Sequence, residues 1–155
     1  MKILFVCLGN ICRSPLAEGI MRNKLLHSNI HVIVESAGTG GWHSGEHPDK
    51  RAIGIANKRG VDISKQTARK FSVKDFKLFD FIYVMDHQNK SDVLKLAPHK
   101  LAEAKVDLLL NVLHPLSNSQ VPDPWFGGEE GFVTVYHLLD KACEKLLVKL
   151  IPQVK

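Results

Sequence analysis

The chain has 155 residues, 45% hydrophobic and 24% charged, the balance of a soluble globular protein with one full core. A net charge of +5 favours anionic partners. The lysines are scattered, no nucleic-acid motif matches and no apolar run is long enough for a bilayer, so neither nucleic-acid binding nor membrane insertion is expected.

Lys2–Val6 ("KILFV") reads as a buried strand. Gly9, Asn10 and Arg13 interrupt the apolar region that a secretory signal would keep, which points to the cytoplasm. Ser14-Pro15 opens a helix, with Leu16, Ile20, Leu25 and Leu26 on or near one face. Val32–Ser36 is a second strand. Pro48 opens "PDKRAIGIANKRG", which Gly60 ends. Ser72–Phe79 is a short helix, Phe81–Met85 a third strand, and His87–Ala97 a helix that stops before Pro98. Val106–Leu110 is a fourth strand. From about Gly131 to Leu150, Phe132, Val135, Leu138, Leu139, Ala142, Leu146 and Leu150 recur at helical spacing.

Three of the four strands are continuously apolar, as in a parallel sheet buried on both faces. The expected fold is α/β: a three-layer sandwich with a central four-stranded parallel sheet flanked by helices, forming one domain over residues 1–155. In such folds ligands bind beyond the carboxyl ends of the strands, where the winding reverses. The loop after the first strand is therefore the place to look.

That loop reads "VCLGNICRSP". Cys7 and Arg13 enclose Leu8, Gly9, Asn10, Ile11 and Cys12. A loop this short that closes onto a helix start can turn its N–H groups inward and bind a dianion such as phosphate. Arg13 adds two parallel donors. Gly9 and Asn10 are residue types that tolerate positive φ. A cysteine thiolate facing the bound phosphoryl group is a nucleophile in place, and the Ser14 hydroxyl stands next to it. A buried small hydrophobe at a strand end would explain Cys7 alone, but not its neighbours. Neither the Walker phosphate loop nor the dinucleotide fingerprint is present.

Three cysteines, Cys7, Cys12 and Cys143, with no Cys-x-x-Cys pair, give neither a disulfide framework nor a structural zinc site. His43, His47 and His87 share no ligand spacing, so no metal or other cofactor is expected. Cys143, on the apolar side of the last helix, reads as core. Asp123 sits in "VPDPWFGG" between two prolines. Spacing alone leaves it open between a proton-donating acid and an ordinary turn residue.

The loop resembles the signature of the low-molecular-weight protein tyrosine phosphatases, in a bacterial-type member. "ESAGTGGWHSGEHPDKRA", "TARKF", "FDFIYVMDHQN", "DPWFGG" and "FVTVYHLLDKAC" resemble further family segments in family order, so the likeness covers nearly the whole chain. The resemblance implies hydrolysis of phosphotyrosine through a phosphocysteine, with phosphotyrosine proteins as substrates and inorganic phosphate as product or inhibitor. It makes Cys7 the nucleophile, Arg13 and the Leu8–Ser14 loop the phosphate holder, Asn10 a loop-shaping residue and Asp123 the general acid. It makes Trp42, Trp125 and Phe126 the pocket walls, and gives Asp86 a supporting role.

Two positions depart from the family pattern. Trp125 and Phe126 stand where two tyrosines are usual, which removes two hydroxyls open to phosphorylation. Gln66 stands where many members carry a histidine directed toward the loop, so altered pH behaviour is expected. The resemblance also offers Cys12 as a redox partner of Cys7, beside the plainer reading of a small core residue.

Two rival functions follow from the same loop. Arsenate reduction needs further cysteines on a mobile segment, and Met85–Ala97 has none. A non-catalytic phosphotyrosine-binding module would be free to lose the nucleophile or the acid, and both are present.

Overall fold

The computed structural model describes Met1–Val154. Four parallel strands form one sheet in the order β2-β1-β3-β4: β1 (Lys2–Cys7), β2 (Ile33–Gly38), β3 (Phe81–Val84) and β4 (Val106–Leu108). Strand β1 is central. It pairs with β2 from Lys2↔Ile33 to Cys7↔Gly38 and with β3 from Ile3↔Phe81 to Val6↔Val84.

Side chains alternate across a strand, and this divides the core in two. Ile3, Phe5 and Cys7 join one cluster with Leu16, Ile20, Phe132, Leu139 and Leu146. Leu4 and Val6 join the other, with Phe71, Phe76, Val84 and Val93. Both faces of β1 are therefore buried, which is why its sequence reads as an unbroken apolar run. The α/β sandwich with a central four-stranded parallel sheet is as expected.

The helices are α1 (Arg13–Leu26), α2 (Lys50–Lys58), α3 (Asp75–Leu78), α4 (His87–Leu94), α5 (Lys100–Glu103) and α6 (Glu129–Val154). Helix α2 starts with Asp49 as N-cap and ends before Gly60 at φ 77°. Asp86 caps α4 by accepting from the Asn89 N–H. Some boundaries differ from expectation. The fourth strand stops at Leu108 and Leu109–Val112 form a 3-10 turn. The α5 turn follows Pro98, where no helix was expected. Helix α6 runs past Leu150 to Val154 with Pro152 inside it. None of the described helices is long and apolar enough to cross a membrane.

The carboxyl ends of β1, β2 and β3 lie side by side, at Cys7, Gly38 and Val84. The winding reverses between β1 and β3, so this edge is the topological switch point.

Candidate active site

Cys7 ends β1 and is 3% exposed. The loop after it is held by its carbonyls from outside. Cys7 O accepts from the Thr39 N–H at 2.9 Å, Leu8 O from Gly40 at 2.9 Å, Ile11 O from Asp49 at 2.8 Å and Cys12 O from Leu16 at 3.2 Å. Helix α1 begins at Arg13 with no side-chain cap. Its first N–H groups and the positive end of its dipole therefore face the loop, the arrangement that binds an anion. Asn10 takes the positive φ, 58°. Strand β2 approaches so closely that a Cβ on Gly38 would stand 2.7 Å from Leu8 O, so only glycine fits there.

A polar chain supports the loop from behind. Arg69 N–H donates to Asn10 Oδ1 at 3.0 Å, which fixes the orientation of that amide. Asn10 Nδ2 then donates to Ser14 Oγ at 2.8 Å and to Ser36 Oγ at 2.9 Å. Ser36 donates onward to Glu18 Oε2. Ser14 Oγ is 3.0 Å from Cys7 Sγ and 3.4 Å from Ala37 O. It accepts from Asn10, and its one proton can go to Ala37 O or to the nearer sulfur. Asn10, Ser14, Ser36 and Glu18 are all buried. Burial pushes the Glu18 carboxyl above its ordinary range, while Ser36 and Arg22 pull it down.

The Arg13 side chain is 3% exposed and crosses to the other side of the site. Its Nη1 donates to Asp86 Oδ2 at 2.7 Å and to Val121 O at 2.9 Å. Its Nη2 lies 3.9 Å from Asp123 Oδ2. Val121 N–H donates to Met85 O at 2.8 Å, which ties the following loop to the end of β3. Asp123 Oδ1 accepts from the Trp125 N–H at 3.0 Å, closing a tight turn around Pro124.

These residues face one cavity of about 330 Å³, lined among others by Cys7, Ile11, Cys12, Arg13, His43 and Asp123. Trp42, Trp125 and Phe126 form its rim; Phe126 is 93% exposed, Trp42 largely so and Trp125 about half-buried. Trp42 stacks on His43 with ring planes 4° apart. Exposed aromatics around a concave site match a flat aromatic ligand. The loop N–H groups, Arg13 and a cysteine at the base suit a phosphoryl group attached to it.

A family model described as low molecular weight phosphotyrosine protein phosphatase matches residues 2–155. The chain belongs to that family. It is 37% identical over 151 residues to the low molecular weight phosphotyrosine protein phosphatase of Homo sapiens, covering 96% of this chain and 94% of the human one. It is 40% identical over 139 residues to that of Schizosaccharomyces pombe, covering 88% of each. The crystal structure of a protein tyrosine phosphatase from Entamoeba histolytica superposes with a TM-score of 0.92 at 37% identity, covering 99% of this chain and 98% of that one.

Within this low molecular weight phosphatase, the sequence-derived site residues Cys7 to Ser14, Trp42, Asp123, Trp125 and Phe126 come together at one end of the sheet. Gln66 does reach the loop region: its Nε2 donates to Pro15 O at 3.0 Å, in the first turn of α1, rather than to Asn10 or Ser36. Cys12 is buried, and that burial, with Asp49 and Asp123 nearby, pushes its thiol far up. Cys143 is fully buried against α1, with Sγ 3.7 Å from Ala17 O. No cluster of His, Cys, Asp or Glu among the described residues has metal-binding geometry.

Sequence reading missed Glu18, Ser36 and Arg51. Glu18 and Ser36 carried a weak signal: each is polar at a position whose neighbours along the helix or strand are buried, and buried polar groups need partners. Arg51 gave none.

Proposed function

We propose that this chain hydrolyses phosphotyrosine, and aryl phosphate monoesters generally, through a phosphocysteine intermediate. The observation that supports this best is the convergence of Cys7, Arg13 and Asp123 on one cavity with an aromatic rim.

Cys7 thiolate attacks phosphorus while the loop N–H groups and Arg13 hold the equatorial oxygens. As the P–O bond to the phenol breaks, Asp123 gives its proton to the departing oxygen. Water then attacks the phosphocysteine and yields its proton to the Asp123 carboxylate. The P–S bond breaks, the sulfur leaves as thiolate with the Ser14 hydroxyl donating to it, and inorganic phosphate departs. Asn10 keeps the loop in shape, and Asp86 keeps Arg13 aimed. Every step uses groups of this chain.

The substrates on this reading are phosphotyrosine proteins: the cavity takes a phosphorylated ring and the open rim leaves room for the rest of a polypeptide. A reducing compartment such as the cytoplasm fits the free thiols. Residues 1–155 act as one catalytic domain. Arsenate reduction fits poorly because a disulfide formed at Cys7 and Cys12 would have to be passed outward, and the remaining cysteine, Cys143, is enclosed in the core.

Hydrolysis of p-nitrophenyl phosphate at mildly acidic pH with EDTA present tests the reading. Turnover by the wild type and none by Cys7→Ser is the expected result. No turnover by folded, reduced wild-type protein would overturn it and favour phosphopeptide binding or arsenate reduction.

A further inference from the structure

Arg51, in the first turn of α2, belongs to neither the phosphate loop nor the Asp123 loop, yet its guanidinium joins Trp125 of the Asp123 loop to Asp49, whose backbone holds the phosphate loop. Its Nε donates to Asp49 Oδ1 and its Nη2 to Asp49 Oδ2, each at 3.0 Å. The third nitrogen, Nη1, donates to Trp125 O at 3.0 Å. The guanidinium carbon lies 5.2 Å from the centre of the Trp125 ring and 4.7 Å from that of Phe132.

Each end of this bridge is fastened to the chemistry. Asp49 donates its backbone N–H to Ile11 O at 2.8 Å, inside the phosphate loop. Trp125 donates its N–H to Asp123 Oδ1 at 3.0 Å. A continuous path therefore runs from Ile11 through Asp49, Arg51 and Trp125 to the Asp123 carboxylate. The fork on Asp49 fixes the plane of the guanidinium before it meets Trp125, which an ammonium group cannot reproduce. A proton donor must stand within hydrogen-bond reach of the atom it protonates, so the spacing of these two loops governs its efficiency.

We propose that Arg51 is a positioning residue that locks the Asp123 loop at a set distance from the phosphate loop, so that Asp123 meets the leaving oxygen. This rests on the reading of Asp123 as the proton donor. The effect is specific to leaving groups that need a proton. A nitrophenolate departs readily without one, whereas a phenolate does not.

The test compares kcat/KM for phenyl phosphate and p-nitrophenyl phosphate in the wild type, Arg51→Met, Arg51→Lys, Asp123→Asn and the double variant Arg51→Met/Asp123→Asn. Methionine keeps an apolar stem against Trp125 and Phe132. The ratio of the two substrates is taken on one preparation, so it does not depend on the fraction of folded enzyme. Arg51→Met is expected to lower kcat/KM for phenyl phosphate about 10-fold more than for p-nitrophenyl phosphate, the scale of a misplaced acid. Arg51→Lys, which keeps the charge but not the fork, should behave the same way. In the Asp123→Asn background the change at Arg51 should leave the ratio unmoved. Equal losses on both substrates, or full rescue by lysine, would overturn the role of Arg51 while leaving Asp123 as the acid. A substrate ratio unchanged in Asp123→Asn itself would overturn both.

Discussion

The Ser14 hydroxyl is 3.0 Å from the Cys7 sulfur and accepts from the Asn10 amide at 2.8 Å, so its one proton serves either that sulfur or Ala37 O, and a thiolate at Cys7 would draw it to the sulfur. A hydrogen bond to a charged group contributes about 1.5–3 kcal/mol. Ser14→Ala should therefore slow the step in which the thiolate leaves phosphorus, lowering kcat by roughly 10–100-fold. Rapid-quench measurement should find phosphocysteine accumulating in the variant. An unchanged kcat would remove Ser14 from the mechanism.

Glu18 makes stability depend on pH in a stated direction. Burial raises its carboxyl in the folded protein above the value in the unfolded chain. Between those two values the native state holds the proton more often, so its contribution to stability is present at low pH and falls as pH rises through the window. Glu18→Gln keeps an acceptor for the Ser36 hydroxyl and removes the titration. Thermal midpoints followed from acidic to neutral pH should decline less in the variant than in the wild type. Parallel curves would mean that Glu18 does not titrate in that window.

Two glycines give opposite outcomes with the same substitution. Gly38→Ala puts a Cβ 2.7 Å from Leu8 O and 3.1 Å from the Asn10 backbone nitrogen. The phosphate loop must shift, at a cost of about 1–3 kcal/mol in stability. Gly54, inside α2, has nothing within 4 Å of the same position. Gly54→Ala should stabilise by about 0.5–1 kcal/mol, the helix preference for alanine. Chemical denaturation of the pair measures both, and a lower midpoint for Gly54→Ala than for Gly38→Ala would contradict the geometry.

Cys7 and Cys12 line one cavity; burial pushes the Cys12 thiol up, which slows its attack as a thiolate without removing it from reach. Hydrogen peroxide should convert Cys7 to a sulfenic acid with loss of water. The Cys12 thiol then displaces a second water to give a disulfide. Mass spectrometry after mild peroxide should find a Cys7–Cys12 link, and dithiothreitol should restore activity. Sulfinic acid at Cys7 with a free Cys12 would leave Cys12 as a core residue.

The sheet was legible because β1 is buried on both faces and its sequence carries no polar interruption. The phosphate loop was legible because Cys7, Asn10, Arg13 and Ser14 are close in sequence and each is there for a local reason. Asp123 was half legible: prolines on either side read equally well as a turn, and the Arg13 contact that places it beside the loop is a tertiary one. The residues behind the loop were barely legible. Glu18, Ser36 and Arg69 meet Asn10 or its partners only after three separate segments pack together. The end of the fourth strand was misplaced for a similar reason, since Leu109 and Leu110 are as apolar as strand residues but bury themselves as a 3-10 turn.

The hydrogen bond from Arg13 to Val121 O joins positions 108 residues apart in sequence. Contacts of that range form only once most of the chain is available. During synthesis, the cysteine and its anion-holding loop emerge long before the segment that brings the acid. Helix α6 also fills the core behind β1 and α1, so the anion-holding loop and the acid become a working site together, only when the last third of the molecule has been made and packed.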